Sequence, residues 1–92
     1  MENEKVAMVT SAWKSINYMN DKPNAETEEI MRYVLKEIHD FGKEEKIKAI
    51  AAANRAINYK RSLKVSDKAI IQRIMNELND ILEDIEKSEM EE

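Results

Sequence analysis

No cysteine occurs in the 92-residue chain, which excludes a disulfide framework, a thiolate metal site and a cysteine nucleophile. A single histidine, His39, leaves any metal site to carboxylates alone. Neither a His-Glu-x-x-His run nor a paired Glu-x-x-His spacing is present. His39 is therefore expected at the surface or at a helix end, and no metal or cofactor is expected. No apolar run approaches the ~20 residues that span a bilayer. The acidic opening Met1-Glu2-Asn3-Glu4-Lys5 is not followed by an apolar run of signal-peptide length. A cytoplasmic protein is expected, with a peripheral position at the inner face of the membrane left open. No nucleophile, base and orienting group can be assembled at plausible spacing, so the chain does not read as an enzyme.

The chain does contain periodic hydrophobicity. Charged residues make up 37% and would suggest disorder, but 42% of the chain is hydrophobic and those residues recur at helical spacing. Four amphipathic stripes emerge. The first is Val6, Val9, Trp13, Ile16 and Met19, with Ala12 beside it. Pro23, the only proline, closes it, because its ring and missing N–H oppose helix and disfavour helical angles at Lys22. Asn24 is the expected N-cap of a second stripe, Ile30, Met31, Val34, Leu35, Ile38 and Phe41, with Glu26, Glu28 and Glu29 near the positive end of its dipole. Gly42, the only glycine, is the expected C-terminal cap. A third stripe runs Ile47, Ile50, Ala51, Asn54 and Ile57, and Ala49, Ala52, Ala53 and Ala56 beside it would let a neighbouring helix approach closely.

Ser66, with Asp67 behind it, is the strongest capping signal, and Val65 and Ile70 stand where a hydrophobic staple would fix the entry of the last helix. The fourth stripe, Ile70, Ile71, Ile74, Met75, Leu78, Ile81, Leu82 and Ile85, is the widest, and Ile74 and Leu78 should be buried at its centre. Residues 87–92 are expected to fray as an acidic tail. One domain over residues 1–92, all-α and folded as an antiparallel four-helix bundle, is the expected architecture. It should be a monomer or a weak dimer.

Within that frame Trp13, Met19, Met31 and Met75 read as core residues. Asn54 breaks a stripe and reads as a buried polar residue that sets register, or alternatively as a binding residue. The charge distribution carries the main functional signal. Residues 1–42 hold five Lys/Arg against eight Asp/Glu, residues 43–73 nine against three, and residues 74–92 one against eight. Three readings of the basic middle compete: a solvated face neutralised by the acidic helix beside it, a docking patch for a protein or membrane-associated partner, and a nucleic-acid footprint. The last is disfavoured by the acidic pI of about 5.1. If it is a docking patch, Tyr59, Lys60, Arg61 and Lys64, at a helix end and loop, are its residues.

The run from Ala56-Ile57-Asn58 through Ser62-Leu63-Lys64-Val65-Ser66 and on to Ile70, Ile74, Leu78 and Ile81 resembles the C-terminal half of the small bacteriocin immunity proteins of lactic acid bacteria. The likeness covers roughly residues 47–85. It implies an antiparallel four-helix bundle and a cytosolic, non-enzymatic protein. Such a protein protects a producer cell by acting at the membrane receptor that a pore-forming peptide has engaged. The alternative is a helical protein-interaction module or inhibitor, of phage or mobile-element type, that binds a host protein.

Overall fold

The computed structural model describes residues 2–90, which form five helices and no strand. They are α1 (Glu2–Asp21), α2 (Thr27–Glu37), α3 (Lys43–Ser62), α4 (Asp67–Asn76) and α5 (Leu78–Met90). The all-α class is as expected, but the fourth stripe is two helices rather than one. Glu77 separates them with φ −104° and ψ 6°, and its N–H bonds to the carbonyls of both Arg73 and Ile74. Helical backbone continues through Met90, into the stretch expected to fray, and residues 91 and 92 lie outside the described part.

The caps explain where the helices begin. Ser66 Oγ accepts from Ala69 N at 3.1 Å, as the sequence predicts. Val65, the expected staple partner of Ile70, stays 51% exposed. Asn24 is not the cap of α2; Glu26 occupies that position in extended backbone, and the turn before it closes through Ala25 N to Lys22 O. Gly42 does not end α2 either. Its φ of −66° is open to any residue, and it serves as N-cap of α3, its N–H donating to Glu45 Oε1 at 3.1 Å. The end of α2 is set instead by Ile38, whose buried side chain anchors the turn that follows.

Helix directions follow from the cross-contacts. Glu4 pairs with Lys48, and Met19 and Asn20 lie against Lys60 and Arg61, so α1 and α3 run parallel. Lys14 meets Glu37 while Tyr18 meets Glu29, so α2 runs back along α1. Lys60 meets Asp67 and Arg55 meets Asp84, so α4 and α5 run back along α3. The dominant contact is α1 against α3. Ala7, Ser11, Ala12 and Ser15 face Ala49, Ala52, Ala53 and Ala56, all buried. Side chains this small let the two backbones approach, and Ser11 Oγ reaches Ala49 O at 2.7 Å across the seam. Ser15 Oγ returns to Ser11 O within α1.

That seam divides the interior in two. On one side Met19, Ile30, Val34, Ile38 and Ile57 pack under α2. On the other Met8, Ile16, Ile70, Ile74, Leu78 and Ile81 pack under α4 and α5. Several expectations shift because of it. On α1 the buried face is centred on Met8, Ser11, Ala12 and Ser15, so Val6 and Trp13 turn outward, 59% and 37% exposed. On α3 the alanine face is the core, so Ile47 is exposed and Asn54, opposite the alanines, is a solvent-facing residue rather than a buried one. Met75 is 49% exposed, whereas Met19 is buried and Met31 packs partly against the α2 core. Ile74 and Leu78 are buried as expected.

Candidate functional site

The predicted docking residues lie at the corner where α3 passes into α4. Helix α3 ends because Leu63 adopts extended backbone, φ −104° and ψ 139°, its N–H still bonded to Tyr59 O. Three residues later Ser66 opens α4. The connection is short and is capped at both ends, by the Leu63 N–H bond to Tyr59 O and by Ser66 Oγ accepting from Ala69 N.

Three of the four predicted residues are committed inside the molecule. Tyr59 is partly buried and donates its hydroxyl to Glu77 Oε1 at 2.6 Å. Lys60 Nζ donates to Asp67 Oδ1 at 2.7 Å, and Asn20 Nδ2 donates to the other oxygen of the same carboxylate at 2.8 Å. Arg61 reaches over to α2 and bonds Thr27 Oγ1 and the Ala25 carbonyl. Only Lys64 stands exposed with neither an ion pair nor a side-chain hydrogen bond among the described residues. Lys60 and Tyr59 therefore join helices, Arg61 pins the start of α2, and Lys64 is left for solvent or a partner.

Sequence reasoning missed Glu77. Its carboxylate, on the residue between α4 and α5, accepts from Tyr59, from Arg55 Nη1 at 3.1 Å and from Arg73 Nε at 3.2 Å. Burial alone would raise its pKa, but the bonds from Tyr59, Arg55 and Arg73 outweigh that and hold it below the ordinary carboxylate value. Arg55 also reaches Asp84 at 3.4 Å, and the Arg73 guanidinium lies 4.8 Å from the centre of the Tyr59 ring. Asp67 is lowered chiefly by the bond from Lys60 and then by that from Asn20. Much of the basic segment is thus neutralised within the fold, Lys48 by Glu4 included. The signal for Glu77 was present in sequence only as one acid inside an apolar stripe.

Beside this network lies a shallow hollow of about 470 Å³. Leu63, Val65, Ala69 and Ile70 make its apolar floor, and Gln72, Arg73, Asn76 and Glu77 complete its lining. Lys64 stands between two floor residues and Lys68 one turn before Gln72, both exposed. Arg61 is satisfied by neutral oxygens, so its charge is uncompensated by any ion pair among the described residues. Arg61 lines a separate hollow with Met19, Asn20, Pro23 and Lys60, so among the described residues the unpaired cations adjoining the apolar floor in the chain are Lys64 and Lys68, on a chain of net charge −4.

A second apolar surface is a groove between α1 and α4–α5, lined by Val6, Val9, Met75 and Leu78 with Lys5 and Thr10. His39 is exposed beside Asp40, with Nδ1 at 3.0 Å from the Lys36 carbonyl. Among the described residues no group of His, Asp and Glu is placed to hold a metal ion, and no helix is long and apolar enough to cross a membrane. Comparison with protein-family models, curated proteins and solved structures returns no match for this chain.

Proposed function

We propose that the chain is a non-enzymatic binding protein that docks a partner protein at the α3–α4 corner. In the role the resemblance implies, it is an immunity protein acting at the cytoplasmic side of a membrane receptor engaged by a pore-forming peptide. The observation that carries the reading is the corner itself: a hollow with an apolar floor of Leu63, Val65, Ala69 and Ile70, next to which in the chain stand Lys64 and Lys68, exposed and unpaired among the described residues, on a molecule of net charge −4. A short, capped connection between helices is where binding residues are held in register. The architecture supports the resemblance to this extent: with α4 and α5 taken as one broken arm, the chain has four arms of alternating direction, as an antiparallel four-helix bundle does.

The docking surface differs from the one the sequence suggests. Lys64 stays in it, Lys68 joins it, and Lys60 serves the fold. Reversing Lys64 and Lys68 to Glu should leave helicity and melting nearly unchanged, because exposed charges contribute little to folding. The same change should remove protection in a bacteriocin challenge of cells expressing the protein. The alternative, a helical module or inhibitor acting on a host protein, is favoured by the second apolar groove at Val6, Val9 and Met75, which offers a soluble partner a further contact. Under it the double variant loses capture of a lysate partner while conferring no protection at any stage. A folded double variant with full protection and full capture rejects the corner as the docking surface.

A further inference from the structure

We infer that the partner segment seated at the α3–α4 corner is an acidic peptide whose apolar side chains enter the hollow, an inference that rests on the docking role proposed above. Two properties of the site select that chemistry. The floor of Leu63, Val65, Ala69 and Ile70 is apolar, and Val65 remains 51% exposed there. A hollow of about 470 Å³ holds one or two aliphatic side chains, not a helix-sized ridge.

The rim then decides the sign of the occupant. Each acid near the floor is already engaged: Asp67 by Lys60 and Asn20, Glu77 by Tyr59, Arg55 and Arg73. The cations are not matched in the same way. Lys64 and Lys68, next to lining residues in the chain, carry no ion pair among the described residues, and the side chain of Arg73, itself in the lining, is 54% exposed although its Nε is bound to Glu77. A carboxylate of an incoming peptide would therefore meet donors and uncompensated positive charge, whereas a lysine would meet repulsion with no free acid to answer it.

The same cations would attract an anionic lipid surface. A peptide fits better, because the apolar floor is recessed between residues of one corner. Residues 1–42 and 74–92, which flank the basic segment in the chain, carry net charges of −3 and −7. A flat anionic surface would face those acidic arms as well, while a short peptide touches the corner alone.

The test uses the full chain and two fluorescein-labelled probe peptides of equal length, one alternating leucine with aspartate and the other alternating leucine with lysine, read by fluorescence anisotropy at low and high salt. The wild-type chain is expected to bind the aspartate peptide, to ignore the lysine peptide, and to lose affinity as salt rises. The Lys64→Glu, Lys68→Glu variant is expected to lose roughly tenfold or more in affinity. Val65→Asp, exposed enough to be tolerated, is expected to lose binding through the floor. Circular dichroism confirms that each variant is folded. Equal binding of the aspartate peptide by wild type and double variant overturns the inference, as does binding of phosphatidylglycerol-containing vesicles in place of either peptide. If the aspartate peptide fails to bind while the double variant still loses protection or capture, the inference falls and the docking role stands. If neither peptide binding nor protection nor capture depends on the corner, both fall.

Discussion

Lys60 and Lys64 are four residues apart and equally basic in sequence, yet the fold assigns them different work. Lys60 bridges the end of α3 to the start of α4 through Asp67, and Lys64 faces solvent. Lys60→Glu replaces the ion pair with Asp67 by two like charges and should lower stability by about 1 kcal/mol or more, whereas Lys64→Glu should stay within about 0.5 kcal/mol. Urea titration followed by circular dichroism at pH 7 separates the two. Glu77 is the more consequential residue. Glu77→Ala leaves the Tyr59 hydroxyl without its acceptor and Arg55 with only its longer contact to Asp84, and should cost about 1–3 kcal/mol. Glu4, Asp67 and Glu77 all titrate below their ordinary values of 4.5, 3.8 and 4.5. Their contribution is therefore complete above those values and is lost as pH falls through the lower folded-state ones. Urea midpoints should be flat from pH 7 to about pH 5 and should fall steeply below about pH 4. A midpoint unchanged at about pH 3 would mean that these bonds contribute nothing net.

At the level of single elements, α1 and α3 are held by the smallness of their facing side chains more than by hydrophobic bulk. Ala53→Leu pushes a branched side chain into a seam built for methyl groups and should cost about 1–3 kcal/mol, more than most truncations elsewhere on α3. Ser11→Ala removes the hydrogen bond to Ala49 O but leaves that carbonyl its place in the helix ladder, so a loss of about 1 kcal/mol is expected. Thermal melts of the two variants rank the effects, and an Ala53→Leu variant as stable as wild type would show the seam to be loose. On the opposite side of the molecule α4 and α5 bury the widest apolar face. Leu78→Ala, just past the break at Glu77, should cost about 2–5 kcal/mol.

For the molecule as a whole, the seam makes one domain with two cores. Val34 lies in one and Ile74 in the other, and they share no cluster. Cavities at distant sites add, so Val34→Ala and Ile74→Ala should combine to within about 0.5 kcal/mol of the sum of the single effects. Both cores use the α1–α3 pair as a wall, so unfolding should remain one cooperative transition. Trp13 fluorescence and far-ultraviolet circular dichroism should give coincident urea curves. Two separated transitions would mean that α2 or the α4–α5 arm unfolds by itself.

The amino-acid sequence alone determined the helical class, the break at Pro23, the Ser66 cap, and the burial of Ile74 and Leu78. Each of these depends on local backbone preference or on apolar periodicity within one helix. It also showed that Ala49, Ala52, Ala53 and Ala56 permit close approach. It did not show that they form the core face of α3, because an isolated helix ranks Ile47 and Ile50 above alanine. The tertiary structure decided that, and with it the outward turn of Trp13 and Asn54, since the closest pairing of α1 with α3 is reached only where both present small residues. Ser11 and Ser15 became interior residues for the same reason, their hydroxyls answered by carbonyls of α1 and α3. The division of the basic segment into structural and free cations was likewise a tertiary matter. Whether a lysine is neutralised depends on which carboxylate another helix brings within a few ångströms, and no spacing along the chain encodes that distance.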